Sequence, residues 1–396
     1  MLGLGGCVDY ELRLSSLMLQ QLVAEYDIRE SELDSSISVV DERNLIISVL
    51  AHLERGAGGE HYAASLETLL RFARRFPART SLGGTSVRAG LAMSRLGVPC
   101  TLHLVSVNDH VRRLLPPSCG YISSAREDSL FPHLVVQYDQ GTRVQIGDHD
   151  VTAPFPNRLI YVNDPVNASL ALNHELGSQL SEAKVFLISG FNTMQDQDLL
   201  GERLATLKRH MQQLPSGALV YYEDAAFHQP AFRGRVRKAL LEAIDIYGMN
   251  EDEMQVEVGR SVDLLSAIEV ERALGSLQTL IPAPTLLVHT KYWSLALGEA
   301  AGEYAEALSV GIAVASTRYC YGDDYTDQQY ELTRSLPGRA EALAFCAALE
   351  ARMGAVVRCV PGINLDVAQP TTIGLGDSFV GGFLAALVRR RTASWT

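Results

Sequence analysis

Closely spaced cysteines are missing from this sequence. Cys7, Cys100, Cys119, Cys320, Cys346 and Cys359 lie far apart with no CxxC spacing, so neither a zinc-finger site nor a disulfide framework is indicated, and buried free thiols are expected. Long apolar runs are absent too, since none reaches the roughly 18 residues of a membrane span. Positive charge is in short supply, with 34 lysines and arginines against 46 acids and a net charge of -12. Nucleic acid and anionic membrane surfaces are thereby disfavoured as main partners, and an anionic substrate would need a local basic pocket. Only 15 prolines accompany 32 glycines, while 47% of residues are hydrophobic and 20% charged, which excludes a disordered chain or a fibre. Met1 to Gln20 has no positive n-region and meets Asp9 and Glu11 before any apolar run reaches signal-peptide length, so a reducing cytoplasm is the expected compartment. No fixed-period repeat, low-complexity segment or Pro/Gly/Ser linker divides the chain.

What is present is enough chain, 396 residues, for two or three domains or for one large domain with an inserted lid. Short apolar runs rich in β-branched residues read as buried strands at Ala183–Phe191, Gly217–Asp224, Pro284–Thr290 and Val310–Thr317. Their continuous apolarity suggests parallel strands covered on both faces. Helical periodicity marks Gln197–Gln213, Phe232–Ile244, Val262–Leu274 and Arg339–Met353 between or after them. This alternation predicts an α/β protein with a doubly wound, mostly parallel sheet. At Leu134–Ile146 (LVVQYDQGTRVQI) two alternating runs flank Asp139-Gln140-Gly141, which reads as a β-hairpin and a candidate lid element.

The strongest local signal is Thr371-Thr372-Ile373-Gly374-Leu375-Gly376-Asp377-Ser378-Phe379, followed by a helical run from Val380 to Arg391. Two glycines let backbone N–H groups turn toward a ligand, and the helix start adds a partial positive charge, so the turn can form a phosphate-sized anion hole. A carboxylate at its rim, Asp377, could take the proton of an attacking hydroxyl while the hole stabilises a transferring phosphoryl group. Equally, Asp377 and Ser378 could simply cap the helix.

The segment TTIGLGDSFVGGF resembles the catalytic signature of the ADP-dependent glucokinase and phosphofructokinase branch of the ribokinase superfamily. Further segments resemble this branch in the family's order: GGCVDYEL at Gly5–Leu12, FPARTSLGGTSVRA at Phe76–Ala89, NRLIYVND at Asn157–Asp164, LISGF at Leu187–Phe191, DIYGMNEDE at Asp245–Glu253 and LLVHTKY at Leu286–Tyr292. Three departures stand out. Thr85 replaces the usual asparagine after the glycine pair, Gly5 and Gly6 stand where an asparagine is frequent, and Tyr221-Tyr222-Glu223 replaces histidine-x-glutamate.

The resemblance implies one ribokinase-like unit, with a large α/β domain at about 46–124 and 158–396 plus the first strand, and a smaller discontinuous β-rich lid at about 10–45 and 125–157. It also implies transfer of the terminal phosphoryl group of ADP to a hexose, with AMP released and Mg²⁺ as cofactor. Asp377 would be the base, with the N–H groups of Gly374 and Gly376 at the developing charge. Asp9, Glu60, Gly83 and Gly84 would face the sugar, and Leu375 and His289 the nucleotide. Glu223, Asn250 and Glu253 would hold the metal from its outer shell.

The residues themselves leave alternatives open. Asn250 with Glu253 is also a capping box, His289 also a structural strand-end histidine, Glu223 a lone strand-end acid, and Asp9 a surface acid at a strand terminus. Arg158 and Arg318 are possible anion partners. A carboxylate at Glu60 would repel a sugar phosphate and so favours glucose. An ADP-dependent 6-phosphofructokinase, an ATP-dependent sugar or nucleoside kinase, and a non-catalytic sugar- or nucleotide-binding regulator remain alternatives.

Overall fold

The computed structural model describes residues 1–367 and 369–393. Its strands are β1 (Cys7–Arg13), β2 (Gly59–Tyr62), β3 (Ala78–Gly83), β4 (Cys100–Leu104), β5 (Cys119–Ser123), β6 (His133–Tyr138), β7 (Arg143–Ile146), β8 (His149–Thr152), β9 (Asn157–Val162), β10 (Val185–Ile188), β11 (Leu219–Glu223), β12 (Ile246–Asn250), β13 (Thr285–His289), β14 (Trp293–Leu297) and β15 (Val357–Pro361).

The larger sheet runs β10-β11-β12-β13-β14-β15; β10 to β13 are parallel, and β14 and β15 follow antiparallel. Leu2 bridges both Leu187 of β10 and Leu102 of β4, joining the parallel pair β4-β5 to the same layer. Alternate strand residues feed two different cores, as a sheet covered on both faces requires. Phe186, Val220, Tyr222, Tyr247 and Met249 pack under the helices Gln197–Met211, Pro230–Leu240, Ala267–Leu280 and Ala340–Met353. Val185, Leu187, Tyr221, Ile246 and Leu287 pack under Thr85–Arg95, Ala305–Tyr321 and Leu375–Ala393.

The expected strand at Val310–Thr317 is the middle of the helix Ala305–Tyr321. That helix is wedged against its neighbours so closely that a Cβ on Gly311 would lie 2.7 Å from Phe379 Cδ2, and burial on several sides removes the polar stripe that marks a helix.

The smaller sheet has the order β2-β9-β6-β1-β3. β1 lies at its interior, antiparallel to β3 and parallel to β6, so the first strand belongs here rather than with the larger sheet. Gly5 (φ +80°) and Gly6 (φ +149°) turn the chain out of the larger sheet just before it. The core beneath this sheet is drawn from Leu12 to Phe76 and from Leu134 to Tyr161, so residues 46–83 and 158–162 pack with it as well as the segments 10–45 and 125–157.

The expected hairpin over Leu134–Ile146 is not formed. β6 already has β1 on one edge and β9 on the other, so the chain leaves at Gly141 (φ +80°), and the hairpin is the next pair, β7 with β8. Among the described residues no helix is long and apolar enough to cross a membrane.

Candidate active site

Four expected residues collect at the carboxyl ends of the parallel strands, where open α/β sheets bind their ligands. Glu223 ends β11, Asn250 ends β12 and His289 ends β13, with Asn250 and His289 in register. Glu253 follows one turn into the helix Glu251–Val258.

Glu223 is held at both oxygens. Oε2 accepts from the Tyr221 hydroxyl at 2.8 Å, and Oε1 lies 2.8 Å from His289 Nε2. The imidazole missing from position 221 is therefore supplied from β13, two strands away. Gly248, opposite Glu223 in β12, makes room for this, because a Cβ there would collide with both the Tyr221 hydroxyl and the Glu223 carboxylate. Burial pulls the His289 pKa down, but Glu223, Glu253 and Glu251 outweigh it and the net shift is upward.

Asn250 and Glu253 form the capping box. Asn250 Oδ1 accepts from the N–H groups of Asp252 and Glu253 at 2.7 and 3.0 Å, and Glu253 Oε2 accepts from Asn250 N–H at 2.8 Å. These bonds orient both groups without removing the charge problem. Burial pushes the Glu253 carboxyl up to about 8, with Asp224 and Glu223 adding repulsion. Asp224, not singled out by the sequence, is pushed by burial up to about 6 although its Oδ2 is paired with Arg233 Nε at 3.4 Å. Crowded, buried carboxylates fit a hydrated hard divalent cation, and Glu223, Asp224 and Glu253 are the residues that would hold Mg²⁺.

The helix Leu375–Ala393 begins over this cluster. A Cβ on Gly376 would stand 3.0 Å from His289 Cε1, and His289 also packs on Phe379 with ring centroids 4.9 Å apart. Gly374 takes φ +60°, its carbonyl accepting from Ser378 Oγ at 2.8 Å, so Ser378 closes the turn. Among the described residues nothing hydrogen-bonds the half-buried Asp377 carboxylate.

The smaller sheet supplies the opposite wall. Asp9, on β1, is buried; its Oδ2 accepts from Arg88 at 2.7 Å and its Oδ1 from the Cys7 thiol at 3.3 Å. Gly83 and Gly84 are needed by contact, since a Cβ on Gly83 would collide with the Asp9 carboxylate and one on Gly84, at φ +90°, would sit 3.1 Å from Gly6 Cα. Arg88 lies one turn into the helix that Gly84 opens. It also reaches Glu11 at 3.0 Å and packs against Gly374.

Arg318 donates from Nε to Ile373 O at 2.8 Å and pairs with Asp323; burial and the neighbouring Arg88 push its pKa down to about 9. Both arginines lie close enough to Asp377 to feel its charge. Arg158, by contrast, lies on β9 of the smaller sheet with Nε buried and unpartnered.

Glu60 sits on β2 and is not free. Its Oε1 is 2.9 Å from His228 Nε2, on the segment after β11 of the larger sheet, so the pair spans the two sheets. Sequence reading passed over Arg88, Asp224, His133 and His228. Arg88 does carry a signal, as a charged residue inside the otherwise small and apolar run SVRAGLA, but the other three have none that spacing reveals.

A doubly wound sheet whose strand ends meet a glycine-flanked helix start, faced by a small mixed sheet, defines the ribokinase-like class of α/β folds. Residues 1–335 match the conserved region of ADP-specific phosphofructokinases and glucokinases, and the chain belongs to this family. A probable ADP-dependent glucokinase of Caenorhabditis elegans is 25% identical over 215 residues, a match covering 51% of this chain and 41% of that protein. The chain thus matches less than half the length of that relative. The crystal structure of a hypothetical ADP-dependent phosphofructokinase from Pyrococcus horikoshii superposes with a TM-score of 0.72 at 18% identity, covering 99% of this chain and 98% of the other. An ADP-dependent kinase in complex with fructose 6-phosphate and ADPβS gives 0.72 at 11% identity, over 97% and 92%.

Proposed function

We propose that this chain is an ADP-dependent sugar kinase that transfers the terminal phosphoryl group of ADP to a hydroxyl of a hexose, glucose in preference, and releases AMP. The observation that supports it most is the Asp377 carboxylate, free of hydrogen bonds among the described residues at the start of the helix Leu375–Ala393, with the Asp9–Arg88 pair against the same turn. A capping carboxylate would be engaged by the backbone N–H groups of its own helix. A general base has to be free to accept a substrate proton.

In this reading Asp9 and Glu60 accept hydrogen bonds from sugar hydroxyls, with Gly83 and Gly84 admitting the ring close to the backbone. Asp377 takes the proton of the attacking hydroxyl. The N–H groups of Gly374, Leu375 and Gly376 face the transferring group, and Arg88 and Arg318 lie close enough to Asp377 to interact with its charge. Mg²⁺, when bound, supplies charge neutralisation between the donor phosphates. Glu223, Asp224 and Glu253 would hold it, with Asn250 orienting Glu253 and His289 orienting Glu223. His289 acts on the nucleotide side through Gly376.

The smaller sheet with its helices serves as the lid that excludes water from the phosphoryl donor. The test is AMP release measured across glucose, fructose 6-phosphate and a nucleoside, with ADP and with ATP as donor. AMP formed fastest from ADP and glucose supports the reading. Turnover with ATP alone, or with no sugar, would remove it.

A further inference from the structure

Beneath the sugar-facing wall three side chains of different chemistry meet. β1 and β6 run parallel with Asp9 opposite His133, and Cys7 stands two residues before Asp9 on the same face. One ligand atom from each of Cys7, Asp9 and His133 lies within 4.8 Å of the others, and all three are buried. We propose that Cys7, Asp9 and His133 form a site for a soft divalent cation of the Zn²⁺ class, separate from the hard-cation site at Glu223.

The geometry is close to what that ion takes. Cys7 Sγ and Asp9 Oδ1 are 3.3 Å apart, near the edge of a tetrahedron with Zn–S of about 2.3 Å and Zn–O of about 2.0–2.2 Å. Arg88 occupies Asp9 Oδ2, which leaves Oδ1 as the available donor. His133 is 8% exposed, and its Nε2 makes no hydrogen bond although Asp164 Oδ2 lies 3.3 Å away.

Sulfur, nitrogen and oxygen donors together select zinc-like ions over Mg²⁺, and three protein ligands leave a fourth position for water. The charge balance agrees, because Asp9, Glu11 and Asp164 surround the cluster and Arg88 is the cation paired with the first two. Binding forms the metal–thiolate bond and releases to solvent the Cys7 thiol proton, and the second ring proton of His133 when that imidazole is charged, with no change of oxidation state. Since Asp9 is read as a sugar contact, an occupied site and a bound sugar should exclude one another. That consequence rests on the proposed function, whereas the metal site does not.

The experiment is a titration of the full chain with Co²⁺ in a phosphine reductant, followed by the near-ultraviolet thiolate-to-cobalt absorption. One equivalent should bring the band up and Zn²⁺ should bleach it. Cys7→Ser should abolish the band and weaken Zn²⁺ at least tenfold, and His133→Gln should weaken Zn²⁺ at least tenfold, while Cys320→Ser, at a half-buried thiol elsewhere, should keep both. No band in the wild-type protein, or a band retained in folded Cys7→Ser, overturns the site whatever the other variants do. Zn²⁺ inhibition competitive with glucose joins the site to the sugar pocket. Bleaching by Zn²⁺ together with non-competitive inhibition keeps the metal site and takes Asp9 out of the sugar pocket.

Discussion

With its carboxylate free, Asp377 offers the sharpest single substitution. Asp377→Asn should lower turnover by about 10²- to 10⁴-fold while nucleotide affinity, measured by equilibrium binding, stays within a few-fold, because the base acts only as the hydroxyl attacks. More than a tenth of wild-type activity would make Asp377 a cap. Arg88 behaves differently. It is buried between Asp9 and Glu11, so Arg88→Met leaves two carboxylates uncompensated and should cost about 3–5 kcal/mol in denaturant unfolding. Glu60→Ala should narrow the preference for glucose over fructose 6-phosphate, read as the ratio of kcat/KM values. The effect should be smaller than a bare carboxylate would give, because His228 Nε2 already lies 2.9 Å from that carboxylate. The strand-end acids and the turn could be read in the sequence because each lies at a local boundary. Asp224 and His228 could not, and Arg88 showed only as a charge in an apolar run, since their roles come from partners brought in by other strands: Asp9 from β1, Glu253 from beyond β12, Glu60 from β2.

At the level of elements, the helices Thr85–Arg95, Ala305–Tyr321 and Leu375–Ala393 pack through their glycines. A Cβ on Gly381 would sit 2.7 Å from Ala92 Cβ and one on Gly382 3.0 Å from Gly311 Cα. Gly381→Ala should therefore overpack this contact and cost about 1–3 kcal/mol, visible as a lower melting temperature.

β4 carries a pH-sensitive fastening. His103 is buried, its Nε2 accepts from Asn173 N–H at 2.9 Å, and burial pushes its pKa from 6.5 down to about 4. The folded chain keeps it neutral while the unfolded chain protonates it below about 6.5. Its contribution is therefore complete above that pH and fades as the pH falls toward 4, at a cost of order 2–3 kcal/mol. Melting temperatures taken from pH 7 to pH 4.5 should fall, and His103→Gln should flatten the slope. Elements with a clean period, such as Gln197–Met211 or β13, were legible as written. Val310–Thr317 was not, because a helix buried on several sides loses its polar stripe. Neither was the pairing of β6, because local turn chemistry at Asp139–Gly141 says nothing about edges already taken by β1 and β9.

For the molecule as a whole, polar contacts between the sides of the two sheets include Glu60 with His228, Gln137 with Thr372 N–H at 3.0 Å and Arg13 with Pro370 O at 3.2 Å, beside the buried pairs of Arg88 with Asp9 and Glu11. The first three can exchange with ligand, so glucose plus an unreactive nucleotide should compact the protein in small-angle scattering. An unchanged radius of gyration would count against a moving lid. The path of the chain between the sheets has a consequence for synthesis. Leu2 belongs to the larger layer, β1 to β3 to the smaller, β4 and β5 to the larger again, β6 and β9 to the smaller with the hairpin β7-β8 between them, and only then does the larger sheet acquire its central strands. On the ribosome β1 can pair with β3 early, yet its other edge stays bare until β6 emerges, and Leu2 waits for Leu187. A nascent chain paused between those points exposes an apolar strand edge, the feature that draws aggregation and chaperones. Chains arrested after residue 125 should therefore pellet or bind chaperone more than chains arrested after residue 190, where both waiting partners have arrived.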